Sequence, residues 1–129
     1  SFGGNPVSCA AGIAVLNVLE EEKLQENAYN VGKYYMRKLN ELKKEFKNIG
    51  DVRGSGLFIG IEIIKENSKI PDTKLAQTIK NEFRKNQILV GSDGPYDNVI
   101  KSKPPICFSK ENVNEVVYIF RSILKNQNN

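Results

Sequence analysis

Leu57-Phe58-Ile59-Gly60-Ile61-Glu62-Ile63-Ile64 is the stretch of the chain that reads most clearly as a strand. Its residues alternate: Leu57, Ile59, Ile61 and Ile63 share one face, and Phe58, Gly60, Glu62 and Ile64 share the other. Gly60 leaves room for a close neighbour on its face. Upstream, Asn48 to Val52 reads as a turn that continues through Arg53-Gly54-Ser55-Gly56, where the two glycines serve tight turns. Before that turn, Leu24, Ala28, Val31, Tyr35, Leu39, Leu42 and Phe46 recur at steps of four and three among Lys, Glu, Asn and Arg. That spacing predicts an amphipathic helix from about Leu24 to Lys47, a single surface helix in preference to a coiled coil.

Downstream of the strand, Lys65 to Asp72 is a polar loop containing Pro71. Asp72 or Thr73 caps a helix running to about Asn86, with Leu75, Ala76, Ile79 and Phe83 inward. Ile88-Leu89-Val90 reads as a short strand, Gly91 to Pro95 as an ordered, turn-rich loop, and Val99 to Lys101 as a further strand. Pro104-Pro105 ends that strand, because proline cannot feed a central ladder. Ser109 caps a last helix with Val113, Val116, Val117, Phe120, Ile123 and Leu124 inward, and Asn126 to Asn129 is a frayed tail. The order helix, helix, strand, helix, strand, strand, helix predicts an α+β fold: a small sheet with helices packed on one side.

At the other end stands Ser1-Phe2-Gly3-Gly4-Asn5-Pro6-Val7-Ser8. Asn5 is a good N-cap and Pro6 fits the first helical position, where its missing N–H costs nothing. A hydroxyl and a Gly-Gly loop leading into a helix start suit an anion such as phosphate, through free N–H groups and the positive dipole end. Plain helix-start chemistry explains the same residues. The helix that follows, Pro6 to about Leu19, is apolar nearly all round, interrupted only by Ser8, Gly12 and Asn17. Such a helix needs cover on most sides. A domain of this size cannot supply two full layers, so part of the helix is expected to face a missing domain or another subunit.

Composition narrows the function classes. The 129 residues are 40% hydrophobic, enough for the core of one modest domain. Nineteen basic against fifteen acidic residues leave +4, and the lysines are scattered along helices. That pattern reads as solvated faces, not as a nucleic-acid surface. The chain has no histidine, which removes Ser-His-Asp schemes, and its two cysteines, Cys9 and Cys107, have no metal-type spacing. Both sit among apolar neighbours and are expected to be buried free thiols. No stretch is long enough to span a membrane. The chain carries no signal peptide and begins without Met inside a loop-to-helix motif, so it is expected to be a piece of a larger protein.

Three motifs in order carry a resemblance. Ser1-Phe2-Gly3-Gly4-Asn5-Pro6 resembles the Thr-x-Gly-Gly-Asn-Pro segment of class-III pyridoxal-phosphate-dependent aminotransferases. Asp51-Val52-Arg53-Gly54-Ser55-Gly56-Leu57-Phe58-Ile59-Gly60-Ile61-Glu62 resembles their Val-Arg-Gly-x-Gly-Leu-x-x-Gly-x-Glu run. Lys101-Ser102-Lys103-Pro104-Pro105-Ile106 falls where they have Arg-x-x-Pro-Pro-Leu. The likeness covers essentially the whole chain. Asn5 to Ala10, Ser92 to Pro95, and Lys101 to Phe108 are most similar to the alanine–glyoxylate aminotransferase-like branch, which includes ethanolamine-phosphate and phosphohydroxylysine phospho-lyases.

The resemblance implies the C-terminal part of a fold-type-I subunit. Residues 1–47 would be a helical segment linking the cofactor domain to a small domain, and residues 48–129 the small C-terminal α/β domain. It implies pyridoxal 5'-phosphate as cofactor, a small-molecule amine substrate, and a homodimer in which the cofactor phosphate is shared across the interface. It implies no nucleic-acid or membrane partner and a mitochondrial, otherwise cytoplasmic, location. The Schiff-base lysine of the family precedes the Gly-Gly-Asn-Pro segment, so no catalytic residue is assigned in this chain, which alone should be inactive.

Ser1 stands at the threonine whose hydroxyl reaches the cofactor phosphate, and Lys101 at the arginine that binds a substrate carboxylate. Lysine is a point charge without the arginine fork, so Lys101, with Lys103 two residues on and on the same strand face, implies a phosphate-bearing substrate or one without an α-carboxylate. Exposed edge-strand charges are the competing explanation for both lysines. Arg53 either contacts substrate or holds its loop against a neighbouring domain, the second being favoured. The function implied is a phospho-lyase for phosphoethanolamine or phosphohydroxylysine. The alternatives are an amino-acid transaminase of alanine–glyoxylate type and a non-catalytic α+β association module.

Overall fold

The computed structural model describes residues 3–127. Its elements are α1 (Pro6–Glu21), α2 (Leu24–Glu45), β1 (Ile49–Ser55), β2 (Phe58–Ile63), α3 (Thr73–Lys85), β3 (Gly91–Asp93), β4 (Val99–Ser102) and α4 (Lys110–Gln127). The four strands form one sheet in the order β1-β2-β4-β3, with every neighbouring pair antiparallel. β3 therefore runs parallel to β2 with β4 between them, so β2-α3-β3 is a split βαβ unit.

Alternation along β2 sets the layers. Leu57, Ile59, Ile61 and Ile63 are buried, and Val52 and Ile100 lie level with Ile61 on the flanking strands. Against this face pack Val31, Tyr35, Leu39 and Leu42 of α2, Ala76, Ile79 and Phe83 of α3, and Val113, Val117, Phe120, Ile123 and Leu124 of α4. Phe83 and Phe120 meet at 5.3 Å between ring centroids. Each such side chain contributes about 1.5–3 kcal/mol by leaving water, so one continuous core joins the sheet to three helices. Among the described residues no helix lies on the opposite face of the sheet, and Phe58 stands 56% exposed there. The α+β fold with helices on one side is as expected.

Local chemistry places the ends. Asp72 Oδ1 accepts from the Leu75 N–H at the start of α3, and Ser109 Oγ from the Asn112 N–H at the start of α4. Asn98 is buried beside β4 and pairs with Ile63 twice, through its backbone carbonyl and its side-chain amide. A close backbone approach joins α2 to the β1–β2 turn. Gly56 takes φ +53° there, and its carbonyl lies where a Cβ on Gly32 would be.

The structure corrects three expectations. Residues 49–55, read as turn, are a strand. Gly50, Asp51, Gly54 and Ser55 have poor strand propensity, but pairing along β2 overrides it, with a register shift between Ile49 and Asp51. The third strand is Gly91–Asp93, not Ile88–Val90. Ile88 and Val90 instead pack against the core while Leu89 is 86% exposed. Cys9 and Cys107 are free but exposed. Cys107 lies on the turn after Pro105, and Cys9 lies on α1, which packs mainly on α2 and buries none of its residues among those described. Val7, Ile13, Val15, Leu16 and Val18 of α1 are 44–78% exposed, so the cover this apolar helix needs is not in residues 3–127.

Gly32→Ala tests the α2–turn contact. Helix propensity alone favours alanine by about 1 kcal/mol. The methyl would meet the Gly56 carbonyl, and such overpacking costs about 1–3 kcal/mol. Urea unfolding of the chain should show a net loss of stability; a gain would mean that the two backbones are not in close contact.

Candidate functional site

β1, β2 and β4 bring the charged residues named from the sequence onto the open face of the sheet. The register sets Arg53 opposite Gly60, Gly60 opposite Lys101, and Lys101 opposite Gly91. Two cations thus flank a glycine with no side chain. A concavity of about 560 Å³ lies over this row, lined among others by Arg53, Phe58, Gly60, Asp93, Val99 and Lys101. Its floor is mostly apolar and its charges stand at the sides.

Each cation has a resident carboxylate. Lys101 lays its stem across Gly91, and its Nζ donates to Asp93 Oδ2 at 2.7 Å. Arg53 Nη1 donates to Glu62 Oε2 at 2.7 Å and to Asp51 Oδ2 at 3.1 Å. The hydrogen bond from Lys101, helped by the Gly94 N–H, holds the Asp93 carboxyl below the usual carboxylate range. Burial pushes Asp51 up, but hydrogen bonds from Arg53 and the Val52 N–H, with the charges of Lys43 and Arg53, outweigh it and hold Asp51 low. These pairs are at least one-third exposed on one side or the other. Exposed pairs of this kind are weak and screened by water, so an incoming anion can take over the cation.

Lys103 lies just beyond the end of β4, and its ammonium stands 5.3 Å from the centroid of the Phe58 ring. Both lysines therefore come to the neighbourhood of Phe58. Ser102, between them, points inward, where its hydroxyl lies 3.4 Å from that of buried Tyr35.

The Gly3-Gly4-Asn5-Pro6 segment forms the start of α1, with Asn5 as its N-cap. Asn5 Oδ1 accepts from the Val7 and Ser8 N–H groups, and the Asn5 carbonyl accepts from Cys9. Pro6 has no N–H. The Val7 and Ser8 N–H groups, two of the donors expected to meet an anion, are thus used by Asn5. Ser1 lies outside the described residues.

Sequence reasoning missed Asp93, Glu62 and Phe58 as neighbours of the cations. Glu62 faces Arg53 only because residues 49–55 are a strand, and Asp93 reaches Lys101 only because β3 sits three residues later than the apolar run suggested.

Residues 1–124 match the class-III aminotransferase family. The chain belongs to this family. Members of the family work with pyridoxal phosphate. The chain is 51% identical over 126 residues to alanine–glyoxylate aminotransferase 2-like of Drosophila melanogaster, covering 96% of this chain and 26% of that protein. It is 40% identical over 127 residues to the mitochondrial alanine–glyoxylate aminotransferase 2 of Homo sapiens, covering 96% of this chain and 24% of that protein. Among solved structures, a phospholyase from Arthrobacter in complex with phosphoethanolamine superposes with a TM-score of 0.93 at 37% identity, over 97% of this chain and 30% of that one. The chain thus spans about a quarter of the length of the curated relatives it matches. No helix among the described residues is long and apolar enough to cross a membrane.

The Lys101–Asp93 pair has a pH signature. Because the folded Asp93 carboxyl titrates below its unfolded value, the pair is complete above the ordinary carboxylate range and is lost as pH falls through the depressed pKa. In an NMR titration, Asp93 should protonate at lower pH than an unpaired aspartate, and Lys101→Ala should move it upward. Glu111, held low by hydrogen bonds at the start of α4, is the internal reference and should not move. An Asp93 midpoint indifferent to Lys101→Ala would remove the pair.

Proposed function

We propose that the longer protein carrying this chain is a pyridoxal-phosphate-dependent phospho-lyase acting on phosphoethanolamine or a phosphorylated hydroxylysine. On this reading the chain supplies the substrate-anion side of the active site. The observation that carries it is Lys101. It replaces the arginine expected before Pro-Pro, and it stands on the open sheet face with Arg53 across Gly60 and Lys103 close by. A lysine reads sign more than direction, which suits a phosphate dianion better than the planar fork of a carboxylate.

In the proposed site Lys101 exchanges Asp93 for a substrate phosphate oxygen, and Lys103 adds a second positive charge beside Phe58. These residues bind and orient the substrate. When bound, pyridoxal phosphate supplies the electron sink next to the amine-bearing carbon. The residues that handle protons there are not assigned in this chain. Ser1 is proposed to donate its hydroxyl to the cofactor phosphate, with the partner subunit of a homodimer supplying most of the phosphate contacts. Residues 1–47 would then join the cofactor domain to the small domain of residues 48–129, with α1 covered by the larger assembly. A mitochondrial location is proposed from the naming of the human relative.

Amino-acid transamination is a second reading with its own support. Two relatives carry alanine–glyoxylate aminotransferase names, and Arg53 offers a carboxylate-binding fork on the same face.

Lys101→Ala in the full-length protein separates the two. Losing one charge-assisted hydrogen bond of about 1.5–3 kcal/mol lowers affinity about tenfold to a hundredfold. The phospho-lyase reading expects kcat/KM for phosphate release from phosphoethanolamine to fall by that factor, with slow transamination of alanine nearly unchanged. Lys101→Arg should retain most of the activity. If wild type releases no phosphate and Lys101→Ala cuts alanine turnover instead, the protein is a transaminase.

A further inference from the structure

The segment from Ser102 to Phe108 is held from an unexpected direction, the first turns of α2. Pro104 and Pro105 have no N–H, so this stretch cannot be secured by a ladder, and its only backbone bond to itself runs from the Phe108 N–H to the Pro105 carbonyl. The Asn27 side-chain amide instead donates to the Ile106 carbonyl at 2.8 Å and to the Phe108 carbonyl at 3.1 Å. Both Nδ2 hydrogens go to one turn about eighty residues away in sequence. Two helical turns further along α2, Tyr35 lies against the Phe108 ring at 6.3 Å between centroids, and its hydroxyl meets that of Ser102. α2 thus grips the segment at Ser102, Ile106 and Phe108.

The grip bears on the lysines through alternation. With Ser102 drawn inward to Tyr35, its neighbours Lys101 and Lys103 must point outward to the open face. Lys103 is outside β4, has no ladder partner, and lies between two of the gripped points. Nothing in the sequence marks Asn27, which falls among the polar residues of an amphipathic helix.

We infer that Asn27 is a positioning residue: its amide, with Tyr35, fixes the Ser102–Phe108 segment so that Lys103 and Lys101 meet the substrate anion. The role of the lysines rests on the function proposed above; the clamp itself does not, and the two can be tested apart.

The test uses Asn27→Asp and Asn27→Ala in the full-length protein. The aspartate keeps the shape, loses both donors and sets a carboxylate against two carbonyls. Hydrogen exchange over residues 102–110 reads the clamp without substrate. It should accelerate in both variants while the core strands keep wild-type protection, and unchanged exchange would overturn the inference. In kinetics, loss of the two hydrogen bonds should raise KM for phosphoethanolamine about tenfold, with kcat nearly unchanged. L-Alanine is the substrate where wild type turns over only that. Asn27→Gln, which keeps the amide, should recover part of the loss. A double-mutant cycle with Lys103→Ala decides whether Asn27 acts through the lysine. Asn27→Asp should cost much less in the Lys103→Ala background than in wild type, and equal costs in both would overturn the positioning role. If Lys101→Ala has no effect on either substrate while exchange responds to Asn27, the functional reading fails and the clamp stands.

Discussion

One-sided burial of the sheet is the constraint on which the rest depends. α2, α3 and α4 all lie on the face that carries Ile59, Ile61, Ile63, Val52 and Ile100. Because side chains alternate with a period of two, burying those residues obliges Arg53, Phe58, Gly60, Glu62 and Lys101 to face the other way. A slip of one residue of β4 against β2 would drive Lys101 into the core and turn Ile100 out. Desolvating an unpaired lysine costs several kcal/mol, far more than any local preference of these short strands. The core thus sets the register, and the register gathers the charges.

The charges so gathered are balanced. Arg53 has Glu62 and Asp51, and Lys101 has Asp93. In water these pairs contribute little, so their use as stabilising interactions is small. Their consequence lies in exchange. Trading Asp93 for a ligand anion keeps Lys101 compensated throughout, whereas an unpaired lysine covered by a second domain would carry a desolvation cost. The glycines fit around this arrangement: Gly91 has no side chain where the Lys101 stem lies across β3, and a Val99 methyl takes the space over Gly60.

How much of this was legible in the sequence differs by element, and the reason is physical. β2, α2, α3 and α4 have strong periodicity over six or more residues, and their inward positions were read correctly, with Leu24, Ala28, Leu75 and Val116 only partly buried. The caps at Asp72 and Ser109 followed from side-chain chemistry that acts within four residues. β1 and β3 were missed because they are strands by pairing, not by composition: three of seven residues in β1 are Gly or Ser, and β3 is Gly-Ser-Asp. At the candidate site, Lys101 and Lys103 were visible as departures from a motif. Their counter-ions were not, since Glu62 and Asp93 become neighbours only through the two missed strands. Asn27 left no local mark at all, because its partners are carbonyls, which any residue carries.

The two cysteines mislead for a different reason, which also explains α1. Apolar neighbours in sequence imply burial only when the chain holds enough material to cover them. Three helices already cover the one apolar sheet face, and α1 is left packing mainly on α2. An apolar helix with five large side chains 44–78% exposed is a patch that soluble folds normally cover. In relatives roughly four times as long as this chain, there is ample further polypeptide to do so. The uncovered parts of the described chain are α1 and the open sheet face, and only the second carries paired cations over a mostly apolar floor. The first thus has the character of an interface and the second that of a site. They meet the rest of the protein through the same polypeptide, since α2 touches α1 at one end of its contacts and grips the Lys103 segment with Asn27 and Tyr35.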